Sequence, residues 1–259
     1  MTNIIMRGCN GRMGQVISGL VAALDNCRII AGIDLYDEQK NDYPVYQTLT
    51  DCLKDIQAGK IEKADVVIDF ASPKNFDEFL SAALGEKLPI VLCTTGLSEQ
   101  QLADVDAASK QIAILRSANM SMGINTVIKL LKDISAMLTG AGFDVDIVER
   151  HHKMKLDAPS GTALALADAI NDSLPEKYEY VYDRSTRREI RPKNEIGISA
   201  VRGGSIVGEH EVIFAGVDEV IEIKHTAYSR AIFGNGAIQA ALFLAGKAAG
   251  MYDMSDVIG

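Results

Sequence analysis

Residues 147 to 163 read IVERHHKMKLDAPSGTA and set His151 and His152, half of the chain's four histidines, beside Lys153, Lys155 and a Ser160-Gly161-Thr162 run. An imidazole with an ordinary pKa of about 6.5 exchanges protons near neutral pH, which suits it to acid catalysis. Adjacent residues of an extended segment point to opposite faces, so the two histidines take different jobs: one is an acid, the other orients or binds. Lys155 offers a cation to a substrate carboxylate, and Lys153 is assigned to solvent. Ser160, Gly161 and Thr162 open a helix, where a hydroxyl and backbone N–H groups hold a second carboxylate. Two anion-holding features flanking an imidazole suit a small dicarboxylate.

A second constellation lies near the start of the chain. MRGCNGRMGQ spaces Gly8, Gly11 and Gly14 as G-x-x-G-x-x-G between an apolar run and a helical pattern. Glycines there allow a tight turn and let a pyrophosphate approach the N-terminus of a helix, whose free N–H groups favour anions. Asp34 follows Gly14 by twenty residues, at the end of the next apolar run, where a carboxylate accepts hydrogen bonds from an adenosine ribose. CTTG at 93–96 and SANMSMG at 117–123 also follow apolar runs. A nicotinamide cofactor is expected across all three loops.

The elements that must position these residues alternate. Apolar runs at 3–7, 27–33, 64–70, 89–93 and 112–117 read as buried strands; helical patterns at 11–24, 74–86 and 98–110 separate them. Such alternation predicts an α/β domain with a Rossmann-like, doubly wound parallel sheet over residues 1–121. Beyond it the rhythm changes. A helix at 123–139, a strand at 144–150 and a helix at 160–173 precede an irregular loop at 175–194. Extended runs at 196–202, 205–216 and 219–227 follow, separated by GG and VD turn signals. These predict hairpins in a second, α+β domain over 122–229 with a mixed or antiparallel sheet. The small-residue stretch 234–250 predicts a helix that packs back on the first sheet. His210 and His225 fall inside the hairpin strands and read as structural, and Arg184, Arg187, Arg188 and Arg191 as a solvated face or a basic edge that steers an acidic substrate.

Composition narrows the partners. With 47% hydrophobic residues the chain has material for a large core, and 26 basic against 35 acidic residues give a net charge of -9. That balance argues against general nucleic-acid binding and against anionic membranes, so an anionic ligand must meet a local basic cluster. Cys9, Cys27, Cys52 and Cys93 are scattered, without metal-ligand spacing, and read as free thiols; no metal is expected. No run approaches the roughly 18 apolar residues of a membrane span, and the first residues break into glycines too soon for a secretory segment. A cytoplasmic protein is expected.

GCNGRMG at 8–14, TTG at 94–96, SANMSMGIN at 117–125, GEHEVIFAG at 208–216, MYDMSDV at 251–257 and above all ERHHKMKLDAPSGTA at 149–163 resemble the 4-hydroxy-tetrahydrodipicolinate reductase family, formerly called dihydrodipicolinate reductase. The resemblance runs the length of the chain. It implies a cytoplasmic homotetramer on the diaminopimelate route to lysine. The dinucleotide domain would be completed by residues 230–259, and the substrate domain would also form the tetramer. His151 would be the proton donor and Lys155 its catalytic partner, with His152, Ser160, Gly161 and Thr162 binding substrate. Gly8, Cys9, Asn10, Gly11, Arg12 and Met13 would contact the cofactor, as would Asp34. So would Cys93, Thr94 and Thr95, and then Ser117, Ala118, Asn119 and Met120. Two positions depart from the family pattern: Cys93 stands where glycine is common, and Leu35 where a basic residue sometimes follows the acid.

The reaction so implied is reduction of a cyclic imine dicarboxylate by NAD(P)H. Hydride reaches a ring carbon, charge moves toward nitrogen, and an acid delivers a proton. Asp34 accepts both ribose hydroxyls of NADH and repels a 2′-phosphate, while Leu35, Tyr36, Asp37 and Glu38 supply no cation, so NADH is the expected cofactor. Arg12 is the residue through which NADPH would be accepted. The alternatives are a two-domain dehydrogenase acting on another substrate and an NADH-binding sensor without turnover.

Overall fold

A computed structural model describes residues 1–36, 40–117 and 119–259. In chain order the elements are β1 (Thr2–Arg7), α1 (Arg12–Val21), β2 (Cys27–Ile33), β3 (Val45–Tyr46), α2 (Leu49–Gln57), β4 (Val66–Asp69), α3 (Phe76–Gly85), β5 (Ile90–Leu92), α4 (Glu99–Ala108) and β6 (Ala113–Arg116). Then follow α5 (Met122–Gly140), β7 (Asp144–His151), α6 (Gly161–Ser173), β8 (Glu179–Val181), β9 (Glu195–Arg202), β10 (Gly208–Ala215) and β11 (Val220–Ala227). The chain closes with α7 (Ala231–Leu244), β12 (Gly250–Tyr252) and α8 (Met254–Ile258). These elements form two compact units, Met1–Met120 with Ala231–Gly259, and Ser121–Arg230.

The first unit is a seven-stranded sheet in the order β12-β6-β5-β4-β1-β2-β3, parallel throughout. Its central strands are continuous apolar runs because both faces are covered: Ile4, Ile5, Met6 and Val66, Val67, Ile68 are all fully buried. Strand order reverses at β1, which pairs with β2 on one side and β4 on the other. Ligands of doubly wound folds bind at the carboxyl ends of the strands at such a reversal. α7 packs on α1 and on β4, β5 and β6, as its small-residue face predicts. The predicted helix at 234–250 is shorter, however: it stops at Leu244, Gly246 turns at φ +81°, and 250–252 become the edge strand β12 beside β6. The short β3 and the helix α2, capped by Thr48, add to the predicted set.

The second unit carries a mixed five-stranded sheet in the order β11-β10-β7-β9-β8. β10 and β11 form the hairpin that the VD turn predicts. The GG hairpin does not form: β7 inserts between β9 and β10, parallel to the former and antiparallel to the latter. Val145, Ile147, Ile196, Ile198, Val212 and Phe214 from one face of this sheet pack with Leu131, Leu166 and Ile170 of α5 and α6. The 175–194 segment is less irregular than predicted, since 179–181 pair with β9. Its arginines are not a free solvated face. Arg184 donates to buried Glu195 at 2.6 Å, Arg187 pairs with Glu179, and Arg191 donates to Asp146 and to the carbonyls of Val145 and Glu195. Arg188 alone of the four is exposed without a recorded partner among the described residues.

Candidate active site

β7 alternates half-buried and buried residues, so Val145, Ile147, Glu149 and His151 share its inner face. The last two are the only polar members, and they are coupled. Glu149, fully buried, lies 2.6 Å from His151 Nδ1. An ionised carboxylate only accepts, which assigns the ring hydrogen to Nδ1 and leaves Nε2 without a partner among the described residues. Glu149 also accepts the Ser160 N–H at 2.9 Å and both terminal nitrogens of Arg202 at 2.7 Å. Burial raises the Glu149 pKa, but Arg202, His151 and the Ser160 amide together outweigh it and hold the carboxyl below its ordinary value. It therefore stays charged at neutral pH and remains an acceptor for the His151 Nδ1 hydrogen.

The loop that follows is tied to the same centre. Arg202, paired with His151 across β7 and β9, reaches on to the Asp157 carbonyl at 2.6 Å. Gly203 N–H donates to the His151 carbonyl at 2.9 Å. Gly208 on β10 faces the ring, and a Cβ there would stand 3.1 Å from Nε2. Lys155 closes a turn through its N–H to the His152 carbonyl, and its Nζ pairs with exposed Asp157 at 2.8 Å. A pair of that exposure is weak, about 1 kcal/mol or less. His152 is half-buried just past the strand, and Lys153 is exposed as predicted. Ser160 caps α6 by accepting the Ala163 N–H at 3.2 Å; Gly161 is exposed and Thr162 half-buried in its first turn.

Three residues of this centre escape a sequence reading. Glu149 carries a signal, being two positions before His151 in a strand and so on its face. Arg202 carries none, because only the β7–β9 register brings it in. His210, read as structural, lies against the site: its Nε2 is 3.0 Å from Ser160 Oγ and its ring meets that of His151 edge-on at 5.1 Å. Burial, then the neighbouring His151, push its pKa down to about 4. His225 is its cross-strand partner on β11, beside Gly123 of α5.

In the first unit the glycine loop joins β1 to α1 at the strand-order reversal. Gly8 has φ +82°, and a Cβ there would stand 2.6 Å from the Phe70 carbonyl; one on Gly14 would lie 2.2 Å from the Gly8 carbonyl. Gly11, the N-cap of α1, is exposed and offers no side-chain cap to the helix N-terminus. Asp34 accepts the Asn10 N–H at 3.0 Å and the Tyr36 N–H at 3.2 Å. Gly8, Asn10, Gly11, Asp34 and Leu35 line a cleft of about 420 Å³ whose other wall is the 70–75 loop after β4. Buried Arg7, bonded to Asp69 at 2.8 Å and to the Lys74 carbonyl at 2.9 Å, secures that wall. Tight glycines, an uncapped helix N-terminus and a strand-end carboxylate in one cleft fit a dinucleotide.

The other residues predicted for the cofactor are spread over this unit. Cys93, Thr94, Thr95 and Ser117 line a second cleft of about 460 Å³ in this unit with Arg116 and Met251. Cys9 and Met120 are buried, and the Cys9 sulfur fills the space beside Gly32. Arg12 is exposed and Met13 half-buried, while Asn119 accepts from Ser117 Oγ through its carbonyl at 3.1 Å. Ala118, Asp37 and Glu38 lie outside the described residues.

A doubly wound sheet with a dinucleotide cleft, joined in one chain to a carboxylate-held histidine among cations, defines an NAD(P)-dependent oxidoreductase. Residues 2–120 match the family model for the dihydrodipicolinate reductase N-terminus and residues 123–258 that for its C-terminus. The 4-hydroxy-tetrahydrodipicolinate reductase of Caldanaerobacter subterraneus subsp. tengcongensis is 51% identical over 258 residues, spanning 100% of this chain and 98% of the relative. That of Clostridium novyi is 49% identical over 258 residues with the same coverage. The dipicolinate-bound dihydrodipicolinate reductase of Paenisporosarcina sp. TG-14 shares the fold, with a TM-score of 0.80 at 23% identity over 98% of this chain and 97% of that one. The chain belongs to the dihydrodipicolinate reductase family and is an enzyme of diaminopimelate and lysine biosynthesis. No helix among the described residues is long and apolar enough to cross a membrane.

Proposed function

We propose that His151 is the proton donor, and Lys155 its cationic partner, in the reaction this enzyme catalyses, the NAD(P)H-dependent reduction of 4-hydroxy-tetrahydrodipicolinate to tetrahydrodipicolinate. The observation that carries the assignment is the 2.6 Å contact between Glu149 and His151 Nδ1. Glu149 holds the Nδ1 hydrogen and so fixes the ring, and Nε2 carries the transferable proton. Bound reduced nicotinamide supplies the hydride. Lys155 exchanges Asp157 for a carboxylate of the cyclic dicarboxylate substrate and stabilises charge as it develops. His152, Ser160, Gly161 and Thr162 hold the substrate; the first turn of α6 favours its second carboxylate.

In the dinucleotide unit, backbone N–H groups of residues 8 to 13 receive the pyrophosphate and Asp34 the adenosine ribose. Cys93, Thr94, Thr95 and the residues from Ser117 to Met120 serve the nicotinamide half. NADH is preferred, because Asp34 would repel a 2′-phosphate and Leu35 offers no cation; exposed Arg12 is the route by which NADPH is tolerated. The working form is a cytoplasmic homotetramer assembled through the second unit.

The test is an assay in which the preceding synthase generates the cyclic substrate in place. Oxidation of NADH that continues only while substrate forms is expected. Slow or substrate-independent oxidation would favour the sensor, and turnover with a different amino acid or semialdehyde would favour another dehydrogenase.

A further inference from the structure

The Ser160 hydroxyl has one donor hydrogen and two acceptor lone pairs. One lone pair takes the Ala163 N–H. His210 Nε2 lies 3.0 Å from the same oxygen, and either atom can be the donor. The opposite side of the imidazole decides between them. His210 is only 6% exposed, and its Nδ1 is buried with no partner among the described residues. A hydrogen on Nδ1 would be an orphaned buried N–H, which folded proteins rarely tolerate; a bare lone pair there is the lesser cost. The hydrogen therefore belongs on Nε2, and His210 donates to Ser160.

We propose that His210 is a positioning residue for substrate binding: by filling the second lone pair of Ser160 Oγ, it presets the serine hydroxyl as a donor for a substrate carboxylate. With both lone pairs occupied the hydroxyl hydrogen must point elsewhere, and Ser160, 2% exposed, has no recorded acceptor for it among the described residues. The arrangement is built on rigid parts. His210 pairs with Glu149 on β7 and with His225 on β11, so the three form one row across the sheet, while Ser160 is fixed by its N–H to Glu149. A neutral His210 beside His151 also keeps the second imidazole from competing for the catalytic proton.

The inference rests on the reading that Ser160 meets a substrate carboxylate, and its test separates the two. ¹⁵N shifts of the histidine side chains in the full chain, with the His210 signal assigned by its loss in His210→Gln, should show hydrogen on Nε2; hydrogen on Nδ1 would overturn the proposal. In the cofactor-loaded protein, His210→Met should weaken binding of pyridine-2,6-dicarboxylate and raise the substrate KM roughly ten- to hundredfold, with kcat changed less than KM and cofactor affinity unaltered. His210→Gln, whose amide can still donate, should recover most of the affinity. Adding His210→Met to Ser160→Ala should cost nothing beyond Ser160→Ala alone. Parent-like binding by His210→Met, equal losses in the Met and Gln variants, or additive losses in the double variant would each refute the role. A parent enzyme that ignores the dicarboxylate and the cyclic substrate would instead refute the functional reading, and the tautomer measurement would still decide what His210 donates.

Discussion

Glu149 Oε2 and His151 Nδ1 lie 2.6 Å apart on the buried face of β7, two residues from each other in a strand whose alternate side chains share a side. The carboxylate sets the tautomer of the proposed proton donor. Glu149→Gln should therefore lower kcat by roughly 10²- to 10⁴-fold, the range of general acid catalysis, and leave cofactor affinity intact. A variant with the parental kcat would show that Glu149 only fills space.

Arg202 is the bidentate cation for that buried carboxylate. Arg202→Met leaves Glu149 charged and poorly compensated, a change that costs about 3–5 kcal/mol in comparable buried pairs. Denaturant unfolding should show a lower midpoint with an unchanged slope. A loss below about 1 kcal/mol would mean that solvent reaches Glu149 in place of the guanidinium.

Stability should fall in acid before the ordinary carboxylates titrate. His210 has its pKa lowered from 6.5 to about 4, chiefly by burial, so between these values the unfolded chain binds a proton that the folded one refuses. Its contribution is complete above pH 6.5 and is lost as pH falls toward 4, a span of about 3 kcal/mol at 1.36 kcal/mol per pKa unit. Glu149, with its pKa lowered, acts in the same direction at still lower pH: its stabilisation is present above the ordinary carboxylate range and disappears as pH falls through the folded value. Unfolding free energies measured from pH 4 to 7 should show the first limb in the parent and a much smaller one in His210→Gln, where His225, its pKa also lowered by burial, remains.

The proposed preference for NADH rests on the end of β2. Asp34 is held there by the Asn10 and Tyr36 amides, and Leu35 beside it is exposed. The absence of a charge-assisted bond to a 2′-phosphate is worth about 1.5–3 kcal/mol, so kcat/KM should favour NADH by roughly ten- to hundredfold. Leu35→Arg should move that ratio toward NADPH. A parent enzyme that prefers NADPH would point to Arg12 as the compensating cation.

Local pattern made the parallel sheet, the glycine loop and the histidine cluster readable, because each is written in contiguous residues: apolar runs, glycine spacing, an imidazole pair after a strand. What stayed hidden depends on register. Nothing near Arg202 in sequence marks it as the partner of Glu149; the insertion of β7 between β9 and β10 does that. The same insertion undid the hairpin expected at the GG turn and carried His210 from a strand of ordinary alternation to the edge of His151. Arg184, Arg187 and Arg191 looked solvated because their buried partner, Glu195, has no local signal either.

The most direct test of the account is His151→Gln in the synthase-coupled assay, with cofactor binding measured on the same preparation. Nε2 of His151 is assigned the proton, so kcat should fall roughly 10²- to 10⁴-fold while the dissociation constant for NADH stays at the parental value. Turnover at the parental rate would contradict the assignment outright and leave the Glu149–His151 couple without a catalytic role.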